Sequence, residues 1–172
     1  MNKEGQVLEE ILKARENRAI IQRELISTYK TTLISFTLNI PGAEKNNLTF
    51  TKVHETGIHL LEEELRAQNI KLVHKTVQIT ADGDEAFLVV DAGQWRIKRI
   101  TVAIEEKYKF GRLFDFDVFN SNGEQVSRSE IGVHQRKCLL CTDSAKVCGR
   151  SRKHSIEELM SKINGLIKDF ID

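Results

Sequence analysis

A single proline, Pro41, and no Ser/Gly-rich tract leave the chain without an obvious linker, and no segment repeats. Its 172 residues suffice for one domain with a real core and are too few for two ordinary ones, so one domain over 1–172 is expected. No apolar run is long enough to span a bilayer, so no membrane partner is expected. Residues 1–18 are charged throughout and lack a signal-peptide core, which makes the cytoplasm the expected location. Three cysteines in such a chain argue against a disulfide framework. A net charge of +1 gives no bulk attraction to nucleic acid, so any anion must be bound locally. What remains, 40% hydrophobic and 30% charged, is an ordinary globular composition.

Periodicity supplies the elements. Leu8, Ile11, Leu12, Ala19, Leu25 and Ile26 predict a helix over 6–28, with Arg15 and Arg18 on one face. That pair reads either as a solvated or core-edge pair or as a phosphate clamp. Residues 31–40 read as a strand closed by Pro41-Gly42, and the loop beyond carries Lys45. A second helix is expected over 50–68, ended by Asn69. Its His54 and His59 read as structural or solvated. Strands follow over 70–80 and 85–90, around an Ala81-Asp82-Gly83-Asp84 turn. Residues 95–106 alternate enough to read as another strand, followed by one from Leu113. A short strand is expected near 126–129 and a last helix from Ile156 to about Phe170. Ser155 and Glu158 form its capping box. The order implies an α+β fold: an antiparallel sheet flanked by helices.

The chemistry concentrates in Gly111-Arg112-Leu113-Phe114-Asp115-Phe116-Asp117-Val118. On a strand, Asp115 and Asp117 share one face while Phe114, Phe116 and Val118 anchor the other. Two carboxylates this close repel unless a cation joins them, and Mg²⁺ suits oxygen ligands beside phosphates. Arg112 can clamp a phosphate. A hairpin from the 95–106 strand would add Glu105 or Glu106 as a third carboxylate, the choice resting on register. Such a set suits metal-assisted phosphoryl or nucleotidyl transfer.

Two readings compete near the C-terminus. Cys138, Cys141, Cys148 and His154 have the spacing of a Cys3His zinc site. Alternatively Arg150, Arg152, Lys153 and His154 crowd a helix start, where backbone N–H groups favour an anion.

Taken together, Gly111–Val118, Arg15 and Arg18, Asn39–Gly42 with Lys45, Ser127-Arg128 with Gly132, Arg136-x-Cys138-x-x-Cys141 and Cys148-x-Arg150-Ser151-Arg152-x-His154 resemble the CitX family. These are the apo-citrate lyase phosphoribosyl-dephospho-CoA transferases. The resemblance covers most of the chain and lacks the extra domain of CitX–CitG fusions. It implies a nucleotidyltransferase-like enzyme. The expected reaction moves a prosthetic group from 2′-(5″-triphosphoribosyl)-3′-dephospho-CoA to a serine of the citrate lyase acyl carrier subunit, with pyrophosphate leaving. The expected roles are Asp115, Asp117 and Glu105 on Mg²⁺, Arg112 in catalysis, and Arg18, Lys45, Arg128, Arg150, Arg152 and His154 on substrate. Two other classes stand beside it: a zinc-stabilised module binding an acidic protein or RNA, and a metal-dependent phosphohydrolase.

Overall fold

The computed structural model describes residues 3–170, so the first two and last two positions of the expected domain lie outside it. Helix α1 spans Lys3–Tyr29, β1 Thr32–Leu38, α2 Leu48–Ala67, β2 Lys71–Thr80 and β3 Gly83–Asp91. Helix α3 spans Gln94–Lys107, β4 Phe114–Phe119, α4 Ala145–Ser151 and α5 Ile156–Leu166. No helix among the described residues is long and apolar enough to cross a membrane.

The strands form one four-stranded sheet in the order β2-β3-β1-β4, and every pairing is antiparallel. Strands β3 and β4 therefore run parallel to each other across β1, as β1 and β2 do across β3. Each parallel relation needs a crossover, and α2 and α3 supply them. The run β1-α2-β2-β3-α3-β4 is thus a split βαβ arrangement, preceded by α1 and followed by α4 and α5.

This topology corrects the reading of 95–106, which is helix and not strand. Ile100, Val102 and Ile104 alternate as a strand would. Ile97, Ile100, Thr101 and Ile104 also follow helical spacing, and all four are buried. The β-branched run satisfies both periods, and the need for a crossover decides between them. The expected strand near 126–129 also fails to form. A single bridge joins Phe119 to Gln125, and Ser129–Ile131 make a 3-10 turn. Helix α5 stops at Leu166, with a further 3-10 turn at Lys168–Phe170.

The sheet has two covered faces. Ile34, Phe36, Leu88, Phe114, Phe116 and Val118 pack with Val53, Leu61 and Leu65 of α2, Ile97 and Ile104 of α3, and Ile163 of α5. Each such side chain contributes roughly 1.5–3 kcal/mol by leaving water. Leu33, Phe87 and Val89 point the other way and meet Ile26 of α1. Gln22 of α1 donates to Ser35 Oγ at 2.9 Å, which places α1 over the face that Ser35 shares with its register partner Asp117.

Candidate functional site

Strand β4 alternates buried and half-buried residues through Phe114–Phe119, so Phe114, Phe116 and Val118 enter the main core while Asp115, Asp117 and Phe119 take the α1 side. Across β1, Asp115 faces Thr37 and Asp117 faces Ser35. Neither neighbour is cationic. Gln125 donates to Asp117 Oδ1, and no side chain among the described residues donates a hydrogen bond to Asp115. Burial, then the charge of Asp115, pushes Asp117 up to about 6. Burial likewise raises Asp115, against the pull of the nearby Arg136. Lys98 and Arg136 act on the pair from nearby, but no cationic side chain among the described residues makes an ion pair with either carboxylate.

β4 is an edge strand, and two residues of α3 fill its open edge at Phe116. Lys98 Nζ donates to Phe116 O at 3.1 Å, and Phe116 N donates to Glu105 Oε1 at 3.2 Å. These side chains are seven apart on one helix face, and both are buried. Burial holds Lys98 below its usual range, opposed by Glu105, Asp117 and Asp115 nearby.

Glu105 is thus not a hairpin neighbour of the aspartates. Its Oε2 takes Arg136 at 2.7 Å and also Arg128, which reaches on to Glu106 Oε1 at 2.8 Å. Glu105 is 4% exposed and Glu106 56% exposed, so the two differ in burial on the helix where the expected strand would have offered one of them to the aspartates. Among the described residues, the group of three or more ligating side chains that converges on one point lies elsewhere, at the cysteines. Glu105, expected beside the aspartates on Mg²⁺, accepts instead from Arg128, Arg136 and Phe116 N.

Arg136 joins this cluster to a cleft. Its guanidinium reaches Phe114 O at 2.8 Å as well as Glu105. The cleft, about 790 Å³, is lined by Asn39, Pro41, Arg112, Arg136, Arg152 and Ile156 among others. Arg112 is pinned by Lys137 O at 2.6 Å. Burial, then the charges of Arg136 and Arg128, holds Arg112 below its usual range. Three like-charged guanidiniums in mutual reach, beside a cleft, suit a polyphosphate.

The glycine that opens the motif has a packing reason. A Cβ on Gly111 would stand 2.8 Å from the carbonyl oxygens of both Ile104 and Glu105. Those are backbone atoms of the last turn of α3, so they cannot step aside cheaply. Gly111→Ala is expected to destabilise the fold by about 1–3 kcal/mol, as overpacking does. Chemical denaturation of the two proteins checks this, and equal midpoints would contradict it.

Other expected site residues are placed differently. Arg18 pairs with Asp82 and Glu85, each at 2.6 Å, and Arg15 pairs with Asp82 at 2.9 Å. The core-edge reading of that pair is the one the geometry carries, because its charges tie α1 to the β2–β3 turn. Lys45 donates to Ile40 O, in its own loop. The basic run before α5 is dispersed. Arg150 is exposed on α4, Lys153 pairs with Asp143 at 2.6 Å, and His154 lies among the thiols. Ser155 and Glu158 close the expected capping box, which occupies N–H groups at the helix start. Arg152 alone of that run keeps a place on the cleft beside His154.

Two residues escaped the sequence reading. Arg136 stood in a recognised string without a role. Lys98 was hidden because a strand assignment separates it from Glu105, whereas a helical one places them on the same face.

A family model described as apo-citrate lyase phosphoribosyl-dephospho-CoA transferase, CitX, matches residues 6–170. The chain is 35% identical over 162 residues to Protein CitXG of Haemophilus influenzae, an alignment covering 94% of this chain and 35% of that protein. It therefore spans about a third of that longer relative. It is 34% identical over 164 residues to the probable apo-citrate lyase phosphoribosyl-dephospho-CoA transferase of Vibrio cholerae, covering 95% of this chain and 92% of the relative. The Streptococcus pyogenes protein of the same name is 33% identical over 169 residues, covering 96% and 87%.

Proposed function

The chain belongs to the CitX family, the apo-citrate lyase phosphoribosyl-dephospho-CoA transferases, and on that premise we propose that it is a nucleotidyltransferase acting in the cytoplasm. It moves the 2′-(5″-phosphoribosyl)-3′-dephospho-CoA group from its triphosphoribosyl precursor to a serine of the citrate lyase acyl carrier subunit. The carrier and that small molecule are its partners, with no part for nucleic acid or membrane. The observation that carries this reading is the half-buried Asp115–Asp117 pair, free of ion-pair partners among the described residues, beside the Arg112–Arg128–Arg136 cluster.

The serine oxygen forms a bond to the phosphorus next to the ribose, and the bond from that phosphorus to pyrophosphate breaks. The serine proton passes to a carboxylate of the Asp pair. Arg112 and Arg136 neutralise charge on the departing pyrophosphate, and Glu105 holds Arg128 and Arg136 in place. Arg152 extends the cationic wall of the cleft along the precursor.

The donor set fits Mg²⁺: two half-buried carboxylates, oxygen only, with no cationic side chain among the described residues in an ion pair with either. When bound by Asp115 and Asp117, the ion supplies countercharge and Lewis acidity at the phosphates. The carboxylates must be deprotonated to bind it. Mg²⁺ affinity is therefore expected to rise about tenfold per pH unit up to about 6 and level off above.

The sign for stability follows. Between the ordinary carboxylate range and about 6, the folded chain holds a proton on Asp117 that the unfolded chain has lost. This group's contribution to stability therefore falls as pH rises through that window. Asp82 does the opposite. Burial raises it, but Arg15 and Arg18 outweigh that and hold it low, so its contribution is lost as pH falls. Thermal shifts with Mg²⁺ at pH 5, 6 and 7 check this. Equal shifts at all three would contradict the Asp-pair assignment.

The relatives' names carry neither the phosphohydrolase nor the binding-module reading. Pyrophosphate release separates the first. Release is expected with apo-carrier and not with a carrier lacking its acceptor serine. Equal release from both would mean water is the acceptor.

A further inference from the structure

The segment between β4 and α5 is poor in core. From Asn120 to Ser155 the buried hydrophobic residues are Val126, Cys138 and Cys148, and two of these three are thiols. Yet this segment carries Arg128, Arg136 and Arg152. A stretch with so little apolar burial needs another source of order, and a metal is a common one.

Four ligand atoms stand together there. The sulfurs of Cys138, Cys141 and Cys148 and a ring nitrogen of His154 all lie within 4.8 Å of one another. Cys141 Sγ is 3.4 Å from Cys148 Sγ, and His154 Nε2 is 3.4 Å from Cys141 Sγ and 3.9 Å from Cys148 Sγ. A disulfide needs about 2.05 Å between sulfurs, and all three cysteines are free. A tetrahedron built from Zn–S of about 2.3 Å and Zn–N of about 2.0–2.1 Å has edges of roughly 3.6–3.8 Å. The Cys141, Cys148 and His154 atoms already stand near those separations, and Cys138 Sγ lies within 4.8 Å of each of them.

The backbone is shaped for the same purpose. Cys138 N donates to Asp143 O at 2.7 Å, and Ala145 N donates to Arg136 O at 2.9 Å, so a tight loop presents Cys138 and Cys141 together. Leu140 N points at Cys138 Sγ from 3.5 Å, as a backbone donor does toward a thiolate. Cys148 comes from α4, and His154 from the turn before α5.

We propose that Cys138, Cys141, Cys148 and His154 bind one structural Zn²⁺ that fastens the α4–α5 turn to the loop after Arg136. Three sulfurs and an imidazole select zinc over the oxygen-seeking magnesium of the Asp pair. All four positions are occupied by protein, so the site is closed and takes no part in the transfer step. Its effect is positional. Cys138, Cys148 and His154 share the cleft wall with Arg112 and Arg136, and the carbonyls of Lys137 and Cys138 receive Arg112. His154 is a ligand here and not a phosphate contact. The inference stands on these residues and does not depend on the transferase reading.

The test is elemental analysis of the full-length protein purified from zinc-supplemented cells, with cobalt substitution alongside. One zinc per chain is expected. The Co²⁺ form should show the sulfur-to-cobalt charge-transfer and intense visible bands of a tetrahedral thiolate site. Cys141→Ser should lose most of the zinc, and His154→Cys, which restores four ligands, should keep it. A zinc chelator should lower the melting temperature of the wild type and leave that of Cys141→Ser unmoved. Metal-free wild type without cobalt bands would overturn the proposal. So would full zinc content in both Cys141→Ser and Cys148→Ser. The His154→Cys protein covers the case in which a serine variant fails to fold.

Discussion

An Asp117→Asn protein is expected to fold at least as well as the wild type while losing transfer by about 10³-fold or more. The replacement keeps the shape of the side chain and removes one of two repelling charges. Asp117 is raised to about 6 by burial and by Asp115, so at neutral pH its ionised form is a burden on the folded chain. Removing that burden leaves stability equal or higher. The same change takes away half of the proposed cation site, which is worth several kcal/mol of transition-state stabilisation, and each 1.36 kcal/mol is about a factor of ten in rate. A melting curve beside a transfer assay reads both. Opposite signs mark a residue kept for chemistry at a cost in stability. A fully active Asp117→Asn protein would remove the metal assignment.

Glu105→Gln carries the other large effect, with a different signature. The wild-type carboxylate is 4% exposed and accepts from Arg128, Arg136 and Phe116 N. Neutralising it leaves the mostly buried Arg136 without its counterion and Arg128 with the exposed Glu106 alone, and breaking such a buried pair costs about 3–5 kcal/mol. The melting temperature should fall by about 6–20 °C for a chain of this size. Transfer should fall further than stability explains, because Arg128 and Arg136 lose their anchor. Glu106→Gln is the internal control. That side chain is 56% exposed, and its bond to Arg128 faces solvent. A surface ion pair is worth about 0–1 kcal/mol, so little should change. Equal losses in the two variants would contradict the positioning role of Glu105.

These effects meet at β4, and β4 was legible in the sequence. The period of two in Phe114-Asp115-Phe116-Asp117-Val118 placed the rings on one face and the carboxylates on the other, and burial follows that alternation. The first helix, the strand from Thr32, the second helix, the hairpin and the capping box were readable for similar reasons, since each carries one unambiguous period or a turn signal. The 95–106 segment was not. Its β-branched residues fit two periods, and local preference cannot reveal that β3 and β4 must be joined by a crossover.

That one misreading had a chemical consequence. As a strand, the segment offered Glu105 to the aspartates as a third carboxylate. As a helix, it sets Lys98 and Glu105 against the edge of β4 and turns Glu105 toward arginines. The basic residues before α5 were illegible for another reason. Sequence shows how many charges crowd a helix start, but not which already have partners. Lys153 has Asp143, and His154 has the thiols. Arg18 likewise found its acids far along the chain, Asp82 in the β2–β3 turn and Glu85 on β3.

The central claim is that the Asp115–Asp117 pair, with its divalent cation, serves transfer to a carrier serine. The most direct measurement is the intact mass of the apo-carrier subunit of citrate lyase after incubation with this protein, the triphosphoribosyl precursor and Mg²⁺. An EDTA arm and a Mg²⁺ add-back arm run beside it, with an established transferase as reference. The account predicts a mass gain equal to the phosphoribosyl-dephospho-CoA group, lost in EDTA and restored by Mg²⁺. An unmodified carrier beside a working reference, or a gain that persists undiminished in EDTA, would contradict it.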